Sequence, residues 1–177
     1  MDRRSARTKK ALKGAMLTLL KKKDVSKITV SELSAMSDIG RGTFYLHFAD
    51  PYDLLDKLED EILERIMGPA EVTATQWDHD SLLAYLERIW QYIYENLETL
   101  QILTDRRHGA RFMTKFKQQC IGMAQPDLHE FADACGIVYI ISGTLGIFQM
   151  WMERGAPVPP DQLAETVRNL IIRPPTS

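Results

Sequence analysis

Apolar residues recur along this chain at three- and four-residue steps, the spacing that lines one side of a helix. Leu12, Met16, Leu19 and Leu20 form the first such stripe, in a helix from about Ser5, and Leu163, Val167, Leu170 and Ile171 form the last. Between them, Leu54, Leu55, Leu58, Ile62 and Ile66 predict a long helix ending near Gly68-Pro69. Leu82, Leu83, Leu86, Ile89, Trp90, Ile93 and Tyr94 predict another, from about Ser81 to Asn96, with an apolar band wider than one stripe. A short helix from Leu97 to about Thr104 leads into Asp105-Arg106-Arg107-His108-Gly109, which reads as a solvated polar turn, and Arg111 to Met123 sets Phe112, Phe116 and Cys120 on one face. No alternating run is strong enough to replace a helix with a strand. The expected fold is all-α, with about nine helices.

The most explicit stretch is KITVSELSAMSDIGRGTFYLHFADPYDLL, Lys27 to Leu55. Thr29 and Glu32 stand at the spacing of a capping box, and Ile28 and Leu33 at that of a hydrophobic staple, so a helix is expected to start there. It should run to about Met36 and break at Ser37-Asp38-Ile39-Gly40, where Asp38 tolerates a left-handed backbone and Ile39 can plug the angle between two helices. Arg41 to Phe48 is too short to hold a helix by itself, so Phe44 and Phe48 must anchor it by packing. Asp50 then caps a further helix whose first residue is Pro51 and whose first turn carries Asp53. Two short helices joined by a tight turn form a helix-turn-helix.

On the second of those helices, Arg41 pairs with Tyr45 and Thr43 with His47 at four-residue spacing. An arginine can read guanine edges, while Thr, Tyr and His can hold phosphate oxygens. Gly42 lacks a side chain where a duplex would come close. Thr29 and Ser31, at the start of the preceding helix, complete the expected DNA-contacting set.

The run T-V-S-E-L-S-A-M-S-D-I-G-R-G-T-F-Y-L-H-F-A-D-P-Y-D-L-L resembles the DNA-binding segment of the TetR family of bacterial transcriptional regulators, over about residues 8 to 67. The resemblance implies that Arg41 and Tyr45 face base edges and that Thr43 and His47 face phosphates. The family usually has Ala-Gly where this chain has Ser37-Asp38, often Ser at Gly40, and usually a lysine at the position of Pro51. The resemblance thus speaks to docking geometry more than to the operator sequence.

Charge sharpens the division. Residues 1–50 hold seven Lys and four Arg against four Asp and one Glu, a net of +6, so that the overall −2 leaves −8 for residues 51–177. A basic head on an acidic body is the footprint expected of a DNA reader. The expected domains are therefore 1–50, the helix-turn-helix, and 51–177, a helical regulatory and dimerisation domain. Residues 2–10, DRRSARTKK, are a candidate arm for phosphates or the minor groove. Cys120 and Cys135 make neither a disulfide framework nor a metal-ligand cluster, and the lysine-interrupted start reads as no signal peptide, which suits a bacterial cytoplasm. Asp78-His79-Asp80, in the expected linker 68–80, cannot easily face one ion together, so no metal and no cofactor is expected.

In the body, Trp90, Tyr94, Phe112, Phe116, Cys120 and Tyr139 are the candidate lining of a pocket for a small hydrophobic or aromatic effector. Cys135 to Trp151 runs 17 residues without a charge, at the lower limit for a membrane span. It lacks flanking basic clusters and is expected to be a buried helix. Gly143 and Gly146 on it would each cost about 1 kcal/mol against Ala, so a close approach by another helix should offset them. G-T-L-G-I-F-Q-M-W-M-E-R-G and the following P-D-Q-L resemble the C-terminal domain of one TetR subgroup. In that family the last two helices pair with those of a second subunit as a four-helix bundle. The interface expected from this is Gly143, Gly146, Ile147, Met150, Leu163, Val167 and Leu170. The reading is a homodimeric, ligand-responsive repressor on a palindromic duplex. The alternative is an activator whose body senses a partner protein. No paired carboxylates, nucleophile with base, or phosphate loop supports an enzyme, and the four histidines are scattered.

Overall fold

The computed structural model describes residues 3–68, 79–107, 109–124 and 131–172. These form nine α-helices: α1 Arg3–Leu20, α2 Val30–Ser37, α3 Arg41–Tyr45, α4 Pro51–Met67, α5 His79–Glu95, α6 Leu97–Leu103, α7 Gly109–Ala124, α8 Phe131–Glu153 and α9 Pro160–Ile172. A 3-10 turn at Val25–Lys27, opened by Asp24 accepting from the Ser26 N–H, is an addition to the expected set. The described residues contain no strand. Asp78 of the dismissed Asp-His-Asp run, and most of the expected linker, lie outside the described residues.

The helices pack as two compact units, one of Met1–Leu63 with Gln101–Phe112, the other of Glu64–Leu100 with Met113–Ser177. The division by packing thus falls inside α4, whereas the charge division falls at its start.

In the first unit, Leu12, Met16, Leu20, Leu33, Phe44, Leu54 and Leu63 are fully buried, as apolar stripes on short helices must be to offset the ordering of the chain. Lys13 pairs with Glu61 across α1 and α4. The segment that the turn after α6 contributes is fastened by arginines. Arg107 donates to the Lys21 carbonyl at 3.2 Å and to Asp105 at 2.7 Å, so the turn is held and not merely solvated. Arg111, at the start of α7, lies 2.6 Å from Asp56 and 3.3 Å from the carboxylate of Glu59, which is only 2% exposed.

In the second unit, α9 packs along α5. Trp90 sits among Phe148, at 6.4 Å between centroids, and Trp151, at 5.7 Å, with Phe116 edge-on to Phe148 at 5.7 Å. Arg88 donates to the carbonyls of Arg65, Ile66 and Met67, which the end of α4 would otherwise leave without partners. Gly68, at φ +74, turns the chain beneath that guanidinium, where a side chain would meet it at 2.8 Å.

One expectation is corrected here. The apolar helix α8 is not buried within its own chain: only 22% of its most apolar stretch is covered. Leu145, Phe148, Trp151 and Met152 face the core, while Val138, Tyr139, Ile140, Gly143, Gly146 and Met150 stay exposed. Its residues are apolar on every side, so composition could not tell the face this chain covers from the face it leaves open.

Candidate nucleic-acid interface

The cap at the start of α2 forms as its sequence requires. The Thr29 hydroxyl accepts from the Glu32 N–H at 3.3 Å and donates to Glu32 Oε2 at 2.9 Å, and the Thr29 N–H donates to the same oxygen at 3.0 Å. Lys23 Nζ lies 2.5 Å from the other oxygen, Oε1. The Lys23 hydrogen bond, then the Thr29 N–H, hold the Glu32 carboxyl at about 2, well below its ordinary 4.5. Ile28 and Leu33, at the staple positions, are 5% and 0% exposed. The 3-10 turn at Val25–Lys27 lies between the two partners in sequence, so short spacing does not announce the Lys23–Glu32 pair.

Asp38 ends α2 at φ 56, ψ 37, the left-handed backbone expected of it. The Ile39 N–H then returns to the Ser34 carbonyl at 3.1 Å, and Ile39 is half-buried. Because α3 spans only Arg41–Tyr45, it is shorter than the expected Arg41–Phe48. His47 and Phe48 both donate to the Phe44 carbonyl, at 2.9 and 3.0 Å, and the chain leaves the helix in that tightened turn. Phe44 and Phe48, 0% and 2% exposed with ring centroids 5.8 Å apart, anchor it.

The opposite side stands open. Arg41, Gly42 and Thr43 are exposed, Tyr45 is 60% exposed with its ring edge-on to Phe44, and His47 is half-buried. Ser31 is exposed on the first turn of α2, whereas the hydroxyl of Thr29 is engaged in its cap. The following helix is fixed by a reciprocal pair: Asp50 accepts from the Asp53 N–H at 2.9 Å and Asp53 accepts from the Ala49 N–H at 2.8 Å. Lys57 donates to Asp53 at 2.9 Å and to the His47 carbonyl at 3.3 Å, and so ties α4 to the end of the recognition element. That role was readable only as an Asp53-Lys57 pair at four-residue spacing.

Beyond this head, a family model described as a transcriptional regulator C-terminal region matches residues 80–173, more than half of the chain. The chain belongs to the TetR family of transcriptional regulators. Among its relatives is the uncharacterized HTH-type transcriptional regulator YxbF of Bacillus subtilis, 23% identical over 168 residues. That match covers 90% of this chain and 43% of YxbF, so the chain spans less than half of that relative's length. The fold is similar to that of a TetR transcriptional regulator from Streptococcus agalactiae 2603V, with TM-score 0.69, 20% identity and 96% of each chain covered. It is also similar to NalD, the secondary repressor of the MexAB-OprM multidrug efflux pump in Pseudomonas aeruginosa, with TM-score 0.65, 19% identity and 96% of each chain covered.

In this TetR-family chain three of the residues expected around an effector, Trp90, Tyr94 and Phe116, meet one aromatic cluster of the second unit through Phe148 and Trp151. Trp90 and Phe116 are buried in the aromatic cluster of the second unit, Phe112 is buried and belongs to the first, and Tyr94, half exposed, leans on Trp151 at 6.2 Å. Cys120 is half-buried, with its thiol pushed up to about 12 by desolvation. Tyr139 lies instead in an open groove of about 810 Å³ on α8 and α9, together with Gly143, Ile147, Val167 and Leu170 of the expected interface. Gly146 and Met150 are exposed on α8, while Leu163 and Val167 are already covered within the chain.

Glu32 supplies a test of the cap. Its folded value lies below its ordinary one, so its contribution to the head is complete above about pH 4.5 and is lost as pH falls through about 2. The amide shifts of Thr29 and Glu32 should stay constant through pH 4.5 and move near pH 2, and Glu32→Gln should abolish that movement. A Thr29 amide titrating near 4.5 would mean that the cap does not form.

Proposed function

We propose that this chain is a homodimeric repressor that reads a palindromic operator in double-stranded DNA and releases it on binding a small hydrophobic or aromatic effector in the bacterial cytoplasm. The observation that carries the DNA reading is the division of α3 and the turn after it into two sides, with Phe44 and Phe48 inside and Arg41, Thr43 and Tyr45 outside. In the major groove, Arg41 and Tyr45 reach base edges, while Thr43, His47 and Ser31 hold phosphates, joined by the lone pair that Thr29 keeps beyond its cap.

The second copy is supported by α8. A Cβ added at Gly143 or Gly146 would meet nothing within 4 Å in the chain, so packing inside one chain does not call for these glycines. Small residues on an open apolar face let a second helix approach closely. Gly143, Gly146, Ile147, Met150 and Leu170 form the contact, with Leu163 and Val167 holding α9 in place beneath it.

The effector reading is supported by one unmet group. The Trp90 indole N–H is buried and meets no acceptor among the described residues. Leaving such a donor unpaired costs about 1 to 3 kcal/mol, which a ligand carrying an acceptor atom would recover. NalD, by its name a repressor, has the same fold. Differential affinity of the effector for two head spacings is enough to shift the population off DNA.

Binding sites selected by the full chain from random duplexes test the docking. Arg41→Ala should relax preference at one base pair per half-site, costing about 1 to 3 kcal/mol. Thr43→Ala should weaken all sequences alike and flatten the salt dependence. Both variants binding as the parent does would overturn the docking. For the effector, Trp90→Phe keeps the ring and removes the donor, so release should need about three- to tenfold more of an acceptor-bearing ligand while DNA affinity holds. An unchanged release curve would place the ligand elsewhere.

A further inference from the structure

The recognition element carries one residue whose exposure the polar contacts leave unused. Leu46, which follows α3, is 80% exposed. Its backbone is helical, at φ −70 and ψ −19, so it extends the turn of α3 with a defined direction. At about 100° per residue, Leu46 lies about 200° from Phe44, opposite the buried face. Arg41 and Tyr45 fall on one flank of that outward line, and Thr43 on the other. Gly42 lies one turn before Leu46 on the same side, and a Cβ there would meet nothing within 4 Å. The protein's own packing therefore does not require that glycine, and its missing side chain lets the helix sit deeper in a groove.

We propose that Leu46 is a specificity-determining residue that reads the 5-methyl group of a thymine in the major groove. In the docking proposed above the outward side of the recognition helix faces the base edges, beside Arg41 and Tyr45, while Thr43 and His47 turn to phosphates. Among the four bases only thymine offers an apolar group on that edge, and an apolar side chain discriminates by covering it. Leucine can neither donate nor accept, so this position has no means of reading an oxygen or a nitrogen. The inference rests on the recognition helix entering the major groove, as proposed above.

The test uses the full chain and the operator it selects from random duplexes. Each thymine of one half-site is replaced in turn by deoxyuridine, which removes only the methyl group. One position should lose about fourfold in affinity with the parent chain, the worth of one buried methyl. With Leu46→Ala the same replacement should cost nothing, and with Leu46→Met, which keeps an apolar contact, the loss should return. Position 46 is exposed, so these variants should fold as the parent does. A flat uridine scan, a loss of equal size in Leu46→Ala, or a selected half-site without thymine would overturn the proposal. Failure of the docking itself looks different: no sequence is selected, and Arg41→Ala binds as the parent does.

Discussion

A helix of five residues cannot persist in water, since fixing its first turn costs more than its few hydrogen bonds return. Everything this protein can do with DNA depends on α3 being held by something other than itself. Two phenylalanines do it. Phe44 and Phe48 are buried against the helices of the head, and Asp38, in its left-handed conformation, sets the angle at which the chain arrives. Behind them the cap at Thr29 and Glu32 fixes the start of α2, and Asp50, Asp53 and Lys57 fix the start of α4. The exposed side chains are thereby presented on a rigid frame, and their ordering cost is met before any duplex arrives.

The second constraint acts on the body. One chain covers only one side of the apolar helix α8 and leaves the other open. The consequence reaches the head through arithmetic rather than contact. In the homodimer proposed above, two linked recognition helices would gain a factor of about 10² to 10⁴ over one, which would tie the open face of α8 to operator affinity.

Local chemistry was legible in the sequence wherever a few neighbouring residues decide it. Thr29 with Glu32, Ile28 with Leu33, the left-handed Asp38 and the Asp50-Pro51 helix start all follow from short spacing, and all take the expected form. What distant residues decide was not legible. Arg107 reaches Lys21 and Arg111 reaches Asp56 and Glu59, across 86 and about 50 positions, and no periodicity announces such ties. The length of α3 was overestimated because Phe48 is buried without being helical. The aromatic residues at four-residue steps were ambiguous between wall and filling. Trp90 and Phe116 pack against Phe148, and among the described residues the buried indole N–H of Trp90 meets no acceptor. For α8, the apolar residues and glycines did not tell which face the chain itself covers.

The most direct measurement is a hydroxyl-radical footprint of the full chain on its selected duplex, with the number of bound chains counted in the same sample. Two chains should protect two patches related by a dyad, with centres about 34 to 36 Å apart or a multiple of that along one face of the duplex. A single protected patch under one chain, on DNA that is fully bound, would contradict the account.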